Sequence, residues 1–177
     1  MARYAALLRG VSPMNLKMPD LVYALNGAGF SDVKTVLASG NVVFHGKRMS
    51  EALLERKVEA AIEKHMGKKF PTIVRTIEHL EALLESDPYA KYRVSPKAKR
   101  VVTFLRSAPK TKLELPSERD GARILCLTDR ELFSAYTRSD KGPVFMTMID
   151  KVCGKELQTT RTWETLKKVV RAAGESA

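Results

Sequence analysis

Two β-branched runs, Val33 to Ala38 and Val42 to Phe44, are joined through Ser39-Gly40-Asn41. Gly and Asn accept a positive φ at low cost, so this junction predicts a tight antiparallel hairpin. A hairpin this early commits the chain to an antiparallel sheet, and its flanks say what covers it. Before it, Tyr4 to Leu8 is an apolar run suited to a buried strand. Pro19 follows where a first helical turn tolerates a missing N–H, with Leu21, Ala24, Leu25 and Ala28 on one face and Gly29 closing the helix. After it, Ser50 is an N-cap for a helix whose Leu54, Val58, Ala61, Ile62 and His65 recur at helical spacing up to Gly67. A strand from Thr72 to Arg75 completes a β-α-β-β-α-β order.

A helix from Ile77 to Glu85, stopped by Asp87-Pro88, leads into a second series. Arg100 to Arg106 repeats the pattern of the opening strand and is followed by a Pro- and Lys-rich connection of irregular periodicity. Arg123 to Leu127 and Leu132 to Tyr136 read as a hairpin around Asp129-Arg130. Phe145, Met148, Ile149 and Val152 give a helix ended by Gly154, and Trp163, Leu166, Val170 and Ala173 mark the last one. The expected fold class is therefore α+β. It comprises two ferredoxin-like (βαββαβ) subdomains, the second degenerate, with antiparallel sheets covered by helices on one face. The expected division is 1–76, a connecting helix and linker over 77–98, and 99–177.

Length and charge limit the function classes. A chain of 177 residues can bury a core without cross-links, and its two cysteines, Cys126 and Cys153, form no framework for a disulfide scaffold or metal knuckle. Their isolation points to a reducing, cytoplasmic setting. The first apolar run is far too short for a signal-peptide core or a membrane span, so no membrane partner is expected. The formal charge is +11, unevenly placed: residues 1–87 carry 12 basic against 10 acidic side chains, and residues 88–177 carry 19 against 10. No acidic residue occurs between Pro88 and Leu113. That window holds Lys97, Lys99, Arg100, Lys110 and Lys112, candidates for contact with a polyanion.

Enzyme motifs are absent. There is no G-x-S-x-G elbow, no G-x-x-x-x-G-K-[ST] and no G-x-G-x-x-G, and His45, His65 and His79 have no His or Cys at metal-ligand spacing. No catalytic residue, metal or cofactor is assigned, and whether the chain is an enzyme stays open. Three polar clusters placed on loops remain. Arg9 to Lys17 puts Arg9 and Lys17 at either end of a loop containing Asn15. Ser39-Gly40-Asn41 offers a hydroxyl and an amide, and Thr159 to Trp163 piles hydroxyls, Arg161 and the single tryptophan at a helix start, where N–H groups favour anions. The ligand-binding candidates are thus Arg9, Asn15, Lys17, Ser39, Asn41, Arg161 and Trp163.

Three of these segments carry a family resemblance. Tyr4 to Val11 with Lys17-Met18, then Ser39 to Phe44, and then Thr160-Arg161-Thr162-Trp163 resemble the signature segments of the bacterial domain of unknown function family 1697. Thr162 stands where the family's third segment has Asn, and Ser12-Pro13-Met14-Asn15 replaces a Gly-Gly-Lys-Asn type loop. The resemblance implies an α+β fold of two ferredoxin-like subdomains in a bacterial cytosolic protein, and it implies no activity.

The leading expectation is a non-catalytic binding module for an anionic partner, with nucleic acid among the partners considered. The strands lack the spaced aromatics of an RNP1 sheet, Phe44 and Phe104 each standing alone. Binding or turnover of a small anionic metabolite between the two halves, and a protein-interaction or assembly role, are the alternatives. Monomer and dimer are both left open.

Overall fold

The computed structural model describes residues 1–110 and 112–175. By packing, the chain forms two units, Met1–Glu85 together with the chain from Thr165 onward, and Ser86–Glu164. The first contains β1 (Ala2–Leu8), α1 (Met18–Gly27), β2 (Ser31–Val36), β3 (Asn41–Gly46), α2 (Glu51–Met66), β4 (Thr72–Thr76) and α3 (Ile77–Ser86). Its sheet has the order β2-β3-β1-β4 with every neighbour antiparallel. Ser50 caps α2 by accepting the Leu53 N–H, and Gly67 ends it at φ 67°, the left-handed turn that glycine adopts without strain. Tyr4, Ala6 and Leu8 of β1, with Val42 and Phe44 of β3, form one core with Leu21 and Leu25 of α1 and Leu54, Val58 and Ile62 of α2. The alternate residues Ala5, Leu7, Val43 and Ile73 are buried too. That is why β1 reads as a continuous apolar run rather than as an alternating one.

The second unit opens with a 3-10 turn, Pro88–Lys91. It continues with β5 (Lys99–Leu105), β6 (Ser117–Arg119), β7 (Ala122–Thr128), β8 (Glu131–Tyr136), α4 (Val144–Cys153) and β9 (Gln158–Thr162), then enters α5 (Trp163–Gly174). Its sheet order is β6-β7-β8-β5-β9, again antiparallel. Leaving out β6, the four principal strands stand in the same spatial order in both sheets: second, third, first, fourth. Phe145, Met148, Ile149 and Cys153 of α4 pack on Val101, Leu105, Ile124 and Leu132. No helix follows β5 among the described residues of its connection to β6, where the expected βαββαβ order would place one. The connection after β5 holds Pro109 and Pro116 among lysines and has no apolar stripe to bury, and its described residues lead into the short edge strand β6.

Two further departures concern the chain's last third. Thr159 to Thr162, expected on a loop, lies in β9, where Val101, Val102 and Thr103 of β5 stand opposite Thr162, Arg161 and Thr160. A run of β-branched threonines suits that edge position. The residues of 99–177 do not all pack together either, because the body of α5 groups with the first unit. The end of α5 shares a cavity with Arg3, Val43 and His45, on the face of the first sheet turned away from α1 and α2, so helices are not confined to one face. No helix of the described residues is long and apolar enough to cross a membrane.

Candidate functional site

In the first unit, the first two predicted clusters meet at the end of the sheet where β1 finishes. The Leu8 N–H donates to the Gly40 carbonyl at 2.8 Å, and the Arg9 N–H donates to the Pro71 carbonyl at 2.8 Å. Asn15 is occupied in shaping its own loop: its side-chain oxygen accepts the Ser12 N–H at 2.8 Å and its Nδ2 donates to the Gly10 carbonyl at 2.7 Å. Asn41 is fully buried, with Nδ2 donating to the Val36 carbonyl at 2.9 Å and reaching Ser39 Oγ at 3.0 Å. Both amides therefore act as turn scaffolding. Arg9, Lys17 and Ser39 stay exposed around them, while Leu16 anchors the loop in the core.

In the second unit, the basic window does not make one patch. Lys97, Lys99 and Arg100 lie at the start of β5, whereas Lys110 and Lys112 lie beyond its end, on the connection to β6. A seven-residue strand rises about 20 Å from end to end, so the two groups are held apart by the strand between them. The group at the start of β5 flanks concave surface. Lys99 lines two cavities, one of about 510 Å³ with Tyr136, Arg138 and Ser139, and one of about 520 Å³ with Ser95, Arg100, Thr162 and Trp163. Lys99 stands opposite Tyr136 in the β5–β8 ladder, so both residues stand on the wall of the first cavity. Arg100 lies over the Tyr89 ring, 5.5 Å from its centroid. Lys97, Lys99, Arg100 and Arg138 are exposed, and none of them has an ion-pair partner among the described residues; Glu164 is the one acidic side chain on either cavity wall.

The third cluster is built into the second unit's packing. Trp163 is buried in an edge-to-face group with Tyr89 and Phe133, at centroid distances of 5.1 and 6.3 Å. The Arg161 guanidinium donates to Thr159 Oγ1 at 2.7 Å and to the Thr160 carbonyl at 3.0 Å, and burial pulls its pKa down to about 10. Burial likewise pushes up the Tyr89 hydroxyl, which donates to the Val101 carbonyl at 2.6 Å, and the half-buried Cys126 thiol.

Two groupings escaped the sequence reading. Tyr136 and Arg138 join Lys99 only through the β5–β8 register, a tertiary fact. In the first unit, His45 Nδ1 lies 2.9 Å from Asp32 Oδ2. A register shift between Ser31 and Lys34, with Asp32 at φ 49°, turns that carboxylate onto the histidine. The pair lines a cavity of about 430 Å³ with Arg3, Lys34 and the end of α5. Its cations are engaged within the unit: Arg3 pairs with Glu78 and Glu81, and Lys34 Nζ donates to the backbone carbonyl of Glu175. Among the described residues no three His, Cys, Asp or Glu side chains gather as a metal site.

Residues 1–133 match a family model described as protein of unknown function, DUF1697. Among solved structures the chain is similar to the conserved bacterial protein SP0830 from Streptococcus pneumoniae, at 20% identity and a TM-score of 0.72, over 99% of each chain. At that identity the likeness concerns the fold. No curated protein matches the chain.

Proposed function

The chain belongs to DUF1697, a family described as proteins of unknown function, and we propose that this protein is a non-catalytic binding module for a phosphate-bearing anionic partner. The observation that carries this reading is the position of Lys99, which walls two cavities at once, with Arg100 on one and Arg138 on the other. Three exposed cations without carboxylate partners among the described residues, set around concave surface, favour an anion. The cavity beside His45 and Asp32 is the weaker candidate, since each of its cations has a partner within the same unit. The same reading takes the strand order shared by the two sheets as two ferredoxin-like copies, the second having lost its first helix. A cytoplasmic setting belongs to it as well, in keeping with the free thiols of Cys126 and Cys153.

The test is a salt titration of binding to labelled duplex DNA and to polyphosphate. Affinity should fall linearly in log–log form as salt rises, and Lys99→Glu with Arg100→Glu should flatten the slope. Negligible binding at low salt to either probe would reduce the basic rim to a solubilising surface.

A further inference from the structure

We propose that the end of the first unit where β1 finishes is a docking surface for an anionic lipid bilayer, with cations against the headgroups and two apolar side chains entering the boundary beneath them. The inference concerns the first unit and stands apart from the phosphate-binding reading of the second. Three loops meet at this end: 9–17 after β1, 37–40 between β2 and β3, and 67–71 before β4. They are tied together. The Leu8 N–H donates to the Gly40 carbonyl, the Arg9 N–H donates to the Pro71 carbonyl, and Gly40 packs so closely on Val11 that a Cβ there would lie 3.0 Å from it. The four neighbouring strands spread these loops over about 15 Å. Arg9, Lys17, Lys68 and Lys69 are exposed on them, and the three loops contain no acidic residue. The nearest acidic residue in sequence, Asp20 of α1, lies 3.5 Å from His65.

The apolar pair selects the partner. Pro13 and Met14 are the central residues of a turn closed by the Asn15 N–H donating to the Ser12 carbonyl at 3.1 Å, and Met14 is 95% exposed. Leu37 opens the turn between β2 and β3 at φ 59° and is 49% exposed. A leucine in the left-handed region is strained where Gly or Asn would not be, and this one also presents apolar surface to water. Neither side chain is placed for the stability of the unit, so their position calls for a role outside it. A phosphate backbone has no apolar layer to receive them, and a peptide needs a groove rather than two projecting turns. A bilayer presents anionic headgroups above hydrocarbon, the order in which these cations and tips would meet it. Two apolar side chains are too few to anchor the protein alone, so binding is reversible and depends on the four cations. Such contact is peripheral and uses no spanning segment.

The experiment is co-sedimentation of the whole protein with vesicles of phosphatidylcholine alone and with vesicles of phosphatidylcholine and phosphatidylglycerol in equal parts. The anionic vesicles should bind about tenfold or more tightly than the neutral ones, and less so as salt rises. Lys68→Glu with Lys69→Glu should lower that affinity about tenfold or more. Met14→Ser with Leu37→Asn keeps every charge, and Asn accepts the backbone at position 37, so this variant should fold as stably as the parent. It should bind anionic vesicles about fivefold or more weakly and leave duplex DNA binding unchanged. Lys99→Glu with Arg100→Glu, in the second unit, should weaken vesicle binding less than the Lys68 and Lys69 pair does. Equal binding to the two vesicle types, binding to neither at low salt, or a Met14→Ser, Leu37→Asn variant that binds like the parent would overturn the proposal. Loss of duplex DNA binding in Lys68→Glu with Lys69→Glu, with no vesicle binding by the parent, would assign the surface to nucleic acid instead.

Discussion

Glu59 Oε1 accepts the backbone N–H of Thr72 at 2.9 Å, and one helical turn earlier Glu55 Oε1 accepts that of Val74 at 3.1 Å. A turn earlier again, Glu51 stands 3.6 Å from the guanidinium of the fully buried Arg75. The three glutamates recur every fourth residue of α2 and so lie on one stripe, which runs along β4. β4 is the edge of its sheet, and β1 uses only one side of it. The amides of Thr72 and Val74 would otherwise be an open ladder; the α2 carboxylates close it and so remove a template for pairing with another chain.

Removing the acceptor should therefore cost more than a surface substitution. Glu59→Ala leaves the buried Thr72 amide without its carboxylate, an expected loss of about 1–3 kcal/mol in urea unfolding. Glu59→Gln keeps an acceptor of similar reach and should lose less. An alanine variant as stable as the parent would show that water replaces the carboxylate at no cost.

This stripe also marks where reading by sequence stops. E-x-x-x-E-x-x-x-E has the polar spelling of a solvated helix face, and only the edge status of β4, which no local pattern encodes, makes Glu55 and Glu59 buried. The hairpin at Gly40 was legible because its turn chemistry is local, as were the apolar stripes of α1, α2 and α4. Of the candidate site, Lys97, Lys99 and Arg100 could be found from the acid-free window. Their separation from Lys110 and Lys112 could not, because it needs β5 to be fully extended between them. His45 and Asp32 are joined by a strand irregularity, and no spacing rule anticipates it.

Gly40→Ala should destabilise the first unit through both space and backbone. A Cβ built there would lie 3.0 Å from the Cβ atoms of Leu8 and Val11, and the residue sits at φ 84°. Overpacking of this kind costs about 1–3 kcal/mol, with left-handed strain in addition. Gly67→Ala is the control: its φ of 67° is also positive, but nothing lies within 4 Å. It should show only the strain, and equal melting shifts for the two variants would refute the crowding at Gly40.

Tyr89→Phe removes one hydrogen bond inside the second unit and little volume. The hydroxyl's partner, the Val101 carbonyl, lies at the heart of β5 and would be left without that donor. The expected cost is about 1–2 kcal/mol in chemical denaturation, with the aromatic contacts to Phe133 and Trp163 retained. Tyr89→Leu abolishes those contacts as well and should cost clearly more. Equal losses for the two variants would place the tyrosine's contribution in the hydroxyl alone.

Acid should weaken the contact between Arg3 and α3. Partial desolvation pushes the Glu78 carboxyl up, but its own backbone N–H and then Arg3, 3.0 Å away, outweigh that and hold it below its ordinary value of 4.5. A carboxyl lowered in the folded state contributes stability that is fully present above 4.5 and is lost as pH falls through the folded value. Both side chains are substantially exposed, so the contribution should be small, about 0.2–1 kcal/mol at low salt and less when salt screens it. Comparing urea unfolding of the parent and Glu78→Gln from pH 7 to pH 3 isolates it. The parent should be the more stable at pH 7, and the two curves should converge on acidification below 4.5. A difference that stays constant across the range would assign the effect of the substitution to packing or helix-end hydrogen bonding rather than to the charge on Glu78.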